Sequence, residues 1–533
     1  MGGGAYEYTA HIGLSDGLVI LTYFLIFAFV VYFFSKKSTR ADEYFLASRD
    51  SKWPIIGLAL FASNMNATAL VAFAGAAYIF GISVYNYEWT AIPVIIFFCI
   101  FLIPFILRSR VFTMPEYLEQ RYDVRVRIYF LCITLILIVG LDAASVLCCC
   151  ALVAQKIFPD IPFIYITAAL AGTAGLITSL GGLRALIRVQ AVQAIELLVV
   201  ATLLSFTALR HVGGLGTILA GTDKAMLSLV RPANDPGVPW PGLLTGALLL
   251  SFYYWCSNQF MVQRVLSAKD SDHARYGVLF TGLLKLPVLF LMILPGICAI
   301  KMFPRLEKAD TVYPTLLVTL FPPGLTGLVI ASFFAAGMAA IASAYHSAST
   351  VIAMDLGRLL APQASSRQLT RIGRLATVVI VLLTMVGAPQ LMEFASLFQY
   401  LQGVQAYVTP SIVALFLVGM FWKGANAAGA NVMLVLGTLA SVAFFLGNIV
   451  FHAFHLHFLY VSPILFGFDC AILILFSLYF RHGENNQIEK LVWTKQFFHE
   501  ESAHLKIQPP WKNYRILAAG LMVLTSAIVL RFW

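Results

Sequence analysis

The sequence predicts an all-α polytopic membrane protein, and three observations carry that prediction. Of 533 residues, 60% are apolar and only 11% are charged. Apolar runs of about 20 residues, the length an α-helix needs to cross hydrocarbon, recur along the whole chain. The Lys and Arg residues between those runs gather on alternate connections. An average soluble protein has about 45–50% apolar and about 25% charged residues, so one soluble core cannot absorb the excess. That composition excludes a cytosolic enzyme, a disordered chain and a nucleic-acid-binding domain. The net charge of +10 then matters through its placement, not its sum.

Fourteen apolar segments lie near 14–34, 53–80, 84–107, 128–155, 161–180, 190–210, 240–263, 276–302, 323–356, 371–390, 395–421, 427–450, 456–480 and 513–532. No basic region precedes the first, and Lys36 and Lys37 follow it, so it reads as a transmembrane helix and not as a cleaved signal. The longest connections are 211–239, 303–322 and 481–512, which leaves no room for a soluble catalytic domain. Of the 35 Lys and Arg residues, 26 fall on the side holding Lys36, Arg121, Arg264, Arg371 and Lys495. Eight fall opposite, among them Arg210, Lys224 and Arg305, and Lys285 stands inside a segment. By the positive-inside rule both termini lie outside, in a plasma (inner) membrane. The 481–512 segment reads as a solvated inner linker to the last helix. Cys148, Cys149 and Cys150 read as small apolar helix residues, and His452, His455 and His457 as part of a solvated outer loop. No metal site is expected.

Two segments are interrupted at mid-membrane depth. Ala-Ser-Asn-Met-Asn-Ala-Thr (62–68) divides the second, and Ser-Phe-Tyr-Tyr-Trp-Cys-Ser-Asn-Gln (251–259) divides the seventh. Unwound backbone is tolerated there only where it lines a cavity, and paired broken helices five segments apart mark the binding site of an inverted-repeat transporter. Ionisable residues inside spans point the same way. Glu88 opens the third segment among aromatics, Asp142 is mid-span in the fourth, and Lys285 lies in the eighth. A carboxylate, an ammonium and Tyr or Trp faces suit a sugar or polyol. The residues alone leave second readings open. Glu88 would also serve as a water-exposed cap, Lys285 would also snorkel, and Asp142 would also bond a neighbouring helix. Glu196 and Asp469 read as structural.

At these residues the chain resembles the solute:sodium symporter family, and within it the sodium/galactose and sodium/glucose cotransporters. The motifs are Asp-Glu-Tyr-Phe-Leu-Ala (42–47), Phe-Thr-Met-Pro-Glu-Tyr-Leu-Glu-Gln-Arg-Tyr (112–122), Gln-Arg-Val-Leu-Ser-Ala-Lys (263–269), Leu-Pro-Gly-Ile (294–297) and Ser-Thr-Val-Ile-Ala-Met-Asp (349–355). The resemblance implies the LeuT-type fold, a five-plus-five inverted repeat in segments two to eleven. It divides the chain into an extra helix and inner loop (1–52), a first repeat (53–210), an outer loop (211–239), a second repeat (240–421) and C-terminal extra helices (422–533).

The resemblance also implies a sugar site. It would comprise Asn64, Tyr87 and Glu88, with Tyr254 as inner aromatic gate, Lys285 and Gln402 as hydroxyl partners, and Phe73 and Phe398 as outer lid. Two positions depart: Ala69 stands where the bacterial galactose carrier has Gln, and Ser251 where it has Asn. Losing these amides implies a hydroxyl pattern other than that of galactose. The implied cation site departs further. Its carbonyl positions correspond to Ala62, Met65 and Ala336, its two serines to Ala339 and Ala340, and its supporting aspartate to Gln190. A hard cation wants oxygen ligands and negative charge, so sodium is not expected to bind there as in the family. Arg188 is either an ordinary inner charge or a fixed positive charge replacing the ion. Asp142 is the candidate for proton coupling.

The leading expectation is a secondary or facilitative carrier of a monosaccharide or inositol-like solute, working by alternating access. A sodium-coupled symporter of another small organic solute and a transporter-like sensor are the alternatives. A membrane enzyme is not expected, because Glu88, Asp142 and Lys285 offer no nucleophile–base pair. No cofactor is expected beyond H+ or Na+ as coupling ion, and the expected partners are the small solute and the lipid bilayer. No nucleic acid is expected, and no protein partner can be named.

Overall fold

The computed structural model describes residues 13–35, 41–306, 308–394, 396–480 and 491–533. Among them the chain is helical, with one isolated β-bridge between Ser51 and Ala268. The helices that build the site begin with α1 (Leu14–Phe34), α2 (Trp53–Asn64), α3 (Ala67–Phe80), α4 (86–109) and α5 (Val124–Ile157). Next come α6 (Phe163–His211), α7 (240–257), α8 (Gln259–Leu266), α9 (Ser271–Lys285) and α10 (Leu289–Met302). Then follow α11 (Leu325–Leu360), α12 (Ser366–Glu393), α13 (Leu397–Val408) and α14 (Pro410–Phe421). The chain closes with α15 (Ala427–Val450), α16 (Phe458–Tyr479), α17 (Lys495–Ile507) and α18 (Tyr514–Arg531).

Both expected interruptions are present, and asparagines make them. The chain leaves helical geometry at Met65, where Asn66 donates to the Ser63 carbonyl (2.9 Å) and accepts the Ala69 amide (3.2 Å) to cap α3. The seventh segment ends in a π-helical turn over Tyr253–Ser257, and Asn258 caps α8 by accepting the Phe260 amide at 2.9 Å. A cap satisfies amides that hydrocarbon cannot, so these short polar side chains let the backbone break without orphaned donors.

By length and apolarity, nine helices among the described residues can cross a membrane, or eleven if two bent pairs, α9 with α10 (44°) and α13 with α14 (51°), each count as one. The fourteen sequence segments exceed that number for three reasons. Residues 67–109 form one 43-residue apolar stretch that turns at Gly81. The 49-residue α6 holds two segments with a single break at Gly182, φ +61°, where a side chain would press on Tyr44. The inner connection expected at 181–189 is therefore helix on both sides of one glycine. The seventh segment is divided into pieces too short to count.

Asp16 of α1 accepts the amides of Gly324 (2.7 Å) and Gly327 (2.8 Å), a carboxylate on the N-terminus of α11. At one end of the molecule the sequence motifs converge. Gln263 donates to the Phe45 carbonyl (2.9 Å) and Thr350 (2.8 Å), while Asp355 accepts Thr113 (2.9 Å) and Arg127 (2.8 Å). Arg121 donates to the carbonyls of Gly419, Ala425 and Trp422, closing the C-terminal end of α14. The 481–512 linker is less solvated than expected. Its part 481–490 lies outside the described residues, but α17 is tied to α9 and α18 through Glu501, which pairs with Arg275 and with Arg515 at 2.6 Å.

Candidate binding site

The two interruptions face one cavity of about 150 Å³, room for on the order of ten waters or one small solute. Asn64, Ala69, Phe73, Tyr87, Glu88, Ser251, Tyr254, Lys285, Phe398 and Gln402 all line it, so the ten substrate-site candidates come together. Asp142 lines it too, from a π-helical turn in α5. π-turns re-aim side chains and collect at functional sites, and here two of them, Ile138–Ala143 and Tyr253–Ser257, carry Asp142 and Tyr254.

Lys285 and Glu88 form an ion pair and are 1% and 4% exposed, so Glu88 is not a water-exposed cap and Lys285 does not snorkel. Lys285 Nζ also donates to Asn64 Oδ1 at 2.6 Å and stands 5.0 Å from the centre of the Trp255 ring. Removing either partner of such a pair strands a buried charge, at about 3–5 kcal/mol. The buried Tyr87 Oη has no hydrogen-bond partner among the described residues. Phe398 meets Tyr87 edge-on at 4.9 Å and Phe73 at 5.9 Å between ring centres, which closes one side of the cavity with aromatic surface. Asp142 accepts Asn258 Nδ2 at 3.3 Å and is half-buried. Thr68 donates to Ser145 at 3.3 Å, and both line the same wall. The wall thus alternates donors, acceptors and ring faces. Glu196 and Asp469 accept hydroxyls of neighbouring helices, from Tyr23 (2.6 Å) and Ser411 (2.7 Å).

The cation-site equivalents Ala62, Met65, Ala336, Ala339, Ala340 and Gln190 are all buried. Gln190 links elements: its Nε2 donates to Ser63 at 3.0 Å, and its Oε1 accepts Ser343 at 3.4 Å. Ala339 and Ala340, at the positions that the resemblance assigns to the two serines, carry methyl groups in place of hydroxyls. Arg188 is not part of this junction; its guanidinium lies 5.5 Å from the Phe34 ring centre. The cation that reaches Gln190 is Arg264, at 3.2 Å. In the sequence Arg264 was one basic residue among many at a span end, and only its position two residues after the apolar Phe260-Met261-Val262 hinted at burial. Asn66, Thr68 and Trp255, from the two interrupted stretches, also line the cavity, as do Ser145 and Gln405, which were not singled out from the sequence.

Comparison with known proteins gives the family and the fold. Residues 44–437 match the sodium:solute symporter family. A sodium/myo-inositol cotransporter of Mus musculus is 30% identical over 93% of this chain and 78% of its own length. A sodium/glucose cotransporter 4 of Danio rerio is 29% identical over 93% of this chain and 83% of its own. A Na+-coupled sialic acid symporter, in a substrate-bound outward-open state, superposes with a TM-score of 0.77 at 21% identity, covering 89% of this chain and 99% of that one. That likeness establishes the LeuT-type fold, an all-α five-plus-five inverted repeat. These relatives are transporters, not enzymes. The chain belongs to the sodium:solute symporter family.

Proposed function

We propose that this protein carries a neutral polyhydroxylated solute, a sugar or an inositol-like polyol, by alternating access and without a requirement for sodium. The observation that carries the solute class is the Glu88–Lys285 pair in the cavity wall. A charged solute would unbalance that neutral pair, whereas hydroxyl groups can accept from Lys285 and donate to Glu88 together. Asn64, Gln402, Ser251 and Tyr87 Oη, which has no partner among the described residues, add further hydrogen-bonding reach. Tyr254 and Trp255 offer ring faces to the apolar side of a sugar or cyclitol. The names of the relatives, myo-inositol and glucose cotransporters, agree with this class.

Phe73, Tyr87 and Phe398 act as the outer lid in this reading and Tyr254 as the inner gate. The repeats, 53–210 and 240–421, rock against each other around the site. The bias of basic residues favours fourteen spans with both termini outside a plasma membrane. Gln190, Ala339 and Ala340 carry the case against sodium. Coupling then falls to Asp142 as proton acceptor, or is absent, which gives facilitated diffusion.

Sodium-coupled symport is the second reading, favoured by the names of the relatives. Uptake of labelled monosaccharides and inositols into proteoliposomes, with sodium, with a proton gradient and with neither, separates the two. Counterflow in the same vesicles separates a carrier from a sensor, which would bind solute without accumulating it.

A further inference from the structure

We propose that Glu196 is a proton-binding site on the lipid-facing edge of the bundle, and that its occupancy sets how firmly α1 is held to α6. The site lies apart from the solute cavity, and its effect on uptake rests on the reading of this protein as a carrier.

Glu196 stands midway between the break at Gly182 and the end of α6 at His211, about 20 Å from each at about 1.5 Å per residue. Its partner Tyr23 is near the middle of α1 (Leu14–Phe34). Both therefore lie near the centre of the hydrocarbon, where an ionisable side chain is costly and marks function. Glu196 is half-buried beside Val192, Ile195 and Val199, each about half exposed on the outside of the bundle. The Tyr23 hydroxyl donates to Glu196 Oε2 at 2.6 Å and accepts Gln193 Nε2 at 3.4 Å, and Ser332 of α11 stands beside the same hydroxyl. Gln193 and Ser332 are each 3% exposed, and Gln193 Oε1 has no hydrogen-bond partner among the described residues.

No cation balances this carboxylate: among the described residues no Lys, Arg or His lies within ion-pair distance of Glu196. Tyr23 is the titratable group that faces it. On α1, Asp16 is occupied by the Gly324 and Gly327 amides. On α6, Arg188 lies at the Phe34 ring. Neither α2 nor residues 325–344 of α11 include a titratable side chain. Asp142 of α5 faces the cavity, Lys301 of α10 donates to the Thr217 carbonyl (2.6 Å), and α12 carries Arg367, Arg371 and Arg374 at its start. A carboxylate left unpaired in hydrocarbon is relieved by taking a proton, and Gln193 Oε1 is the unused acceptor of the cluster for the acid O–H. The Tyr23 bond then loses its charge assistance and falls to roughly half its strength. Through Asp16, α1 stays tied to α11, in the second repeat, while its tie to α6, in the first, depends on the proton. Protonation thus loosens one end of a strap across the two repeats.

The test uses the full-length protein in lipid nanodiscs and proteoliposomes. Dicyclohexylcarbodiimide, an apolar reagent that attacks carboxyl groups in their protonated form, should label Glu196, as located by peptide mass spectrometry. Labelling should fall along a one-proton curve as pH rises, and a water-soluble carbodiimide should leave Glu196 unlabelled. Tyr23→Phe removes the bond that favours the anion, so the labelling midpoint should rise by about one to two pH units. Above the wild-type midpoint, Glu196→Gln should carry solute faster than wild type on the order of fivefold, the scale of the lost charge assistance. Below the midpoint the two rates should converge. Three labelling results overturn the proposal: no label on Glu196 at any pH, a label that does not vary with pH, or an unmoved midpoint in folded Tyr23→Phe. Identical pH profiles of uptake in wild type and Glu196→Gln overturn it as well. Labelling needs no transported solute, so if no sugar or polyol is carried the reading as a carrier fails while the label on Glu196 still decides the site.

Discussion

Lys285 and Arg264 are both about 1% exposed, and both reach an interrupted helix, yet they are neutralised differently. Lys285 meets Glu88, Asn64 and the Trp255 face at the cavity wall. Arg264 sits behind Phe260 and, among the described residues, is hydrogen-bonded to neutral oxygens. A paired charge in a low dielectric offers hydrogen bonds without a net field, which suits exchange with a neutral solute. An unpaired charge keeps its field and its demand for acceptors, which suits a permanent strut. The difference separates a residue that handles cargo from one that fixes the frame around it.

The pair is the place to break that contrast most strongly. Lys285→Met alone, or Glu88→Gln alone, should cost about 3–5 kcal/mol of stability and abolish uptake. The double variant should recover most of the stability and none of the uptake, as read by thermal melts and counterflow. Unchanged melting in either single variant would mean that the pair is not coupled. The next effect concerns the other carboxylate in the wall. Asp142→Asn should end accumulation driven by a proton gradient while counterflow continues, and accumulation that persists would remove Asp142 from coupling.

A smaller change sharpens the cargo side. Tyr87→Phe removes a hydroxyl that has no partner among the described residues, so it should weaken solute binding by about 0.5–1.5 kcal/mol without lowering the melting temperature. The reverse pattern would make Tyr87 structural. The smallest effect lies far from both cations. Burial raises the Glu501 carboxyl, but Arg275, Tyr514 and Arg515 outweigh burial and hold it below the ordinary carboxylate range. Because the folded value is the lower one, docking of α17 gains stability above the ordinary range and loses it as pH falls through the depressed value. Limited proteolysis should show α17 released in acid, and Glu501→Gln should remove that pH dependence with uptake unchanged.

The parts of the site legible in the sequence were those where polarity contradicts its surroundings. Asn64, Asn66 and Asn258 stand out in apolar runs, and so do Glu88, Asp142 and Lys285. Ala69, Phe398 and Gln402 carry no such contrast and were reached only through the family resemblance. Arg264 was hidden for the opposite reason: a basic residue at the end of a span is what orientation alone requires, and nothing local says that Gln190, 74 residues away in sequence, will meet it. The helix count shows the same limit. Apolar runs locate helices, but a single glycine at 81 or 182 bends a continuous one without a polar loop to announce it. The motifs at 42–47, 112–122, 263–269 and 349–355 were the plainest sequence signals, yet they form the polar network at one end of the molecule. They identified the family more readily than the cargo.

Sodium independence is most directly tested by initial-rate uptake of labelled myo-inositol and monosaccharides in proteoliposomes, with sodium titrated against choline at constant ionic strength. Equal rates at every sodium concentration, for whichever solute is carried, are predicted. A rate that rises with sodium and saturates would contradict the reading of Gln190, Ala339 and Ala340.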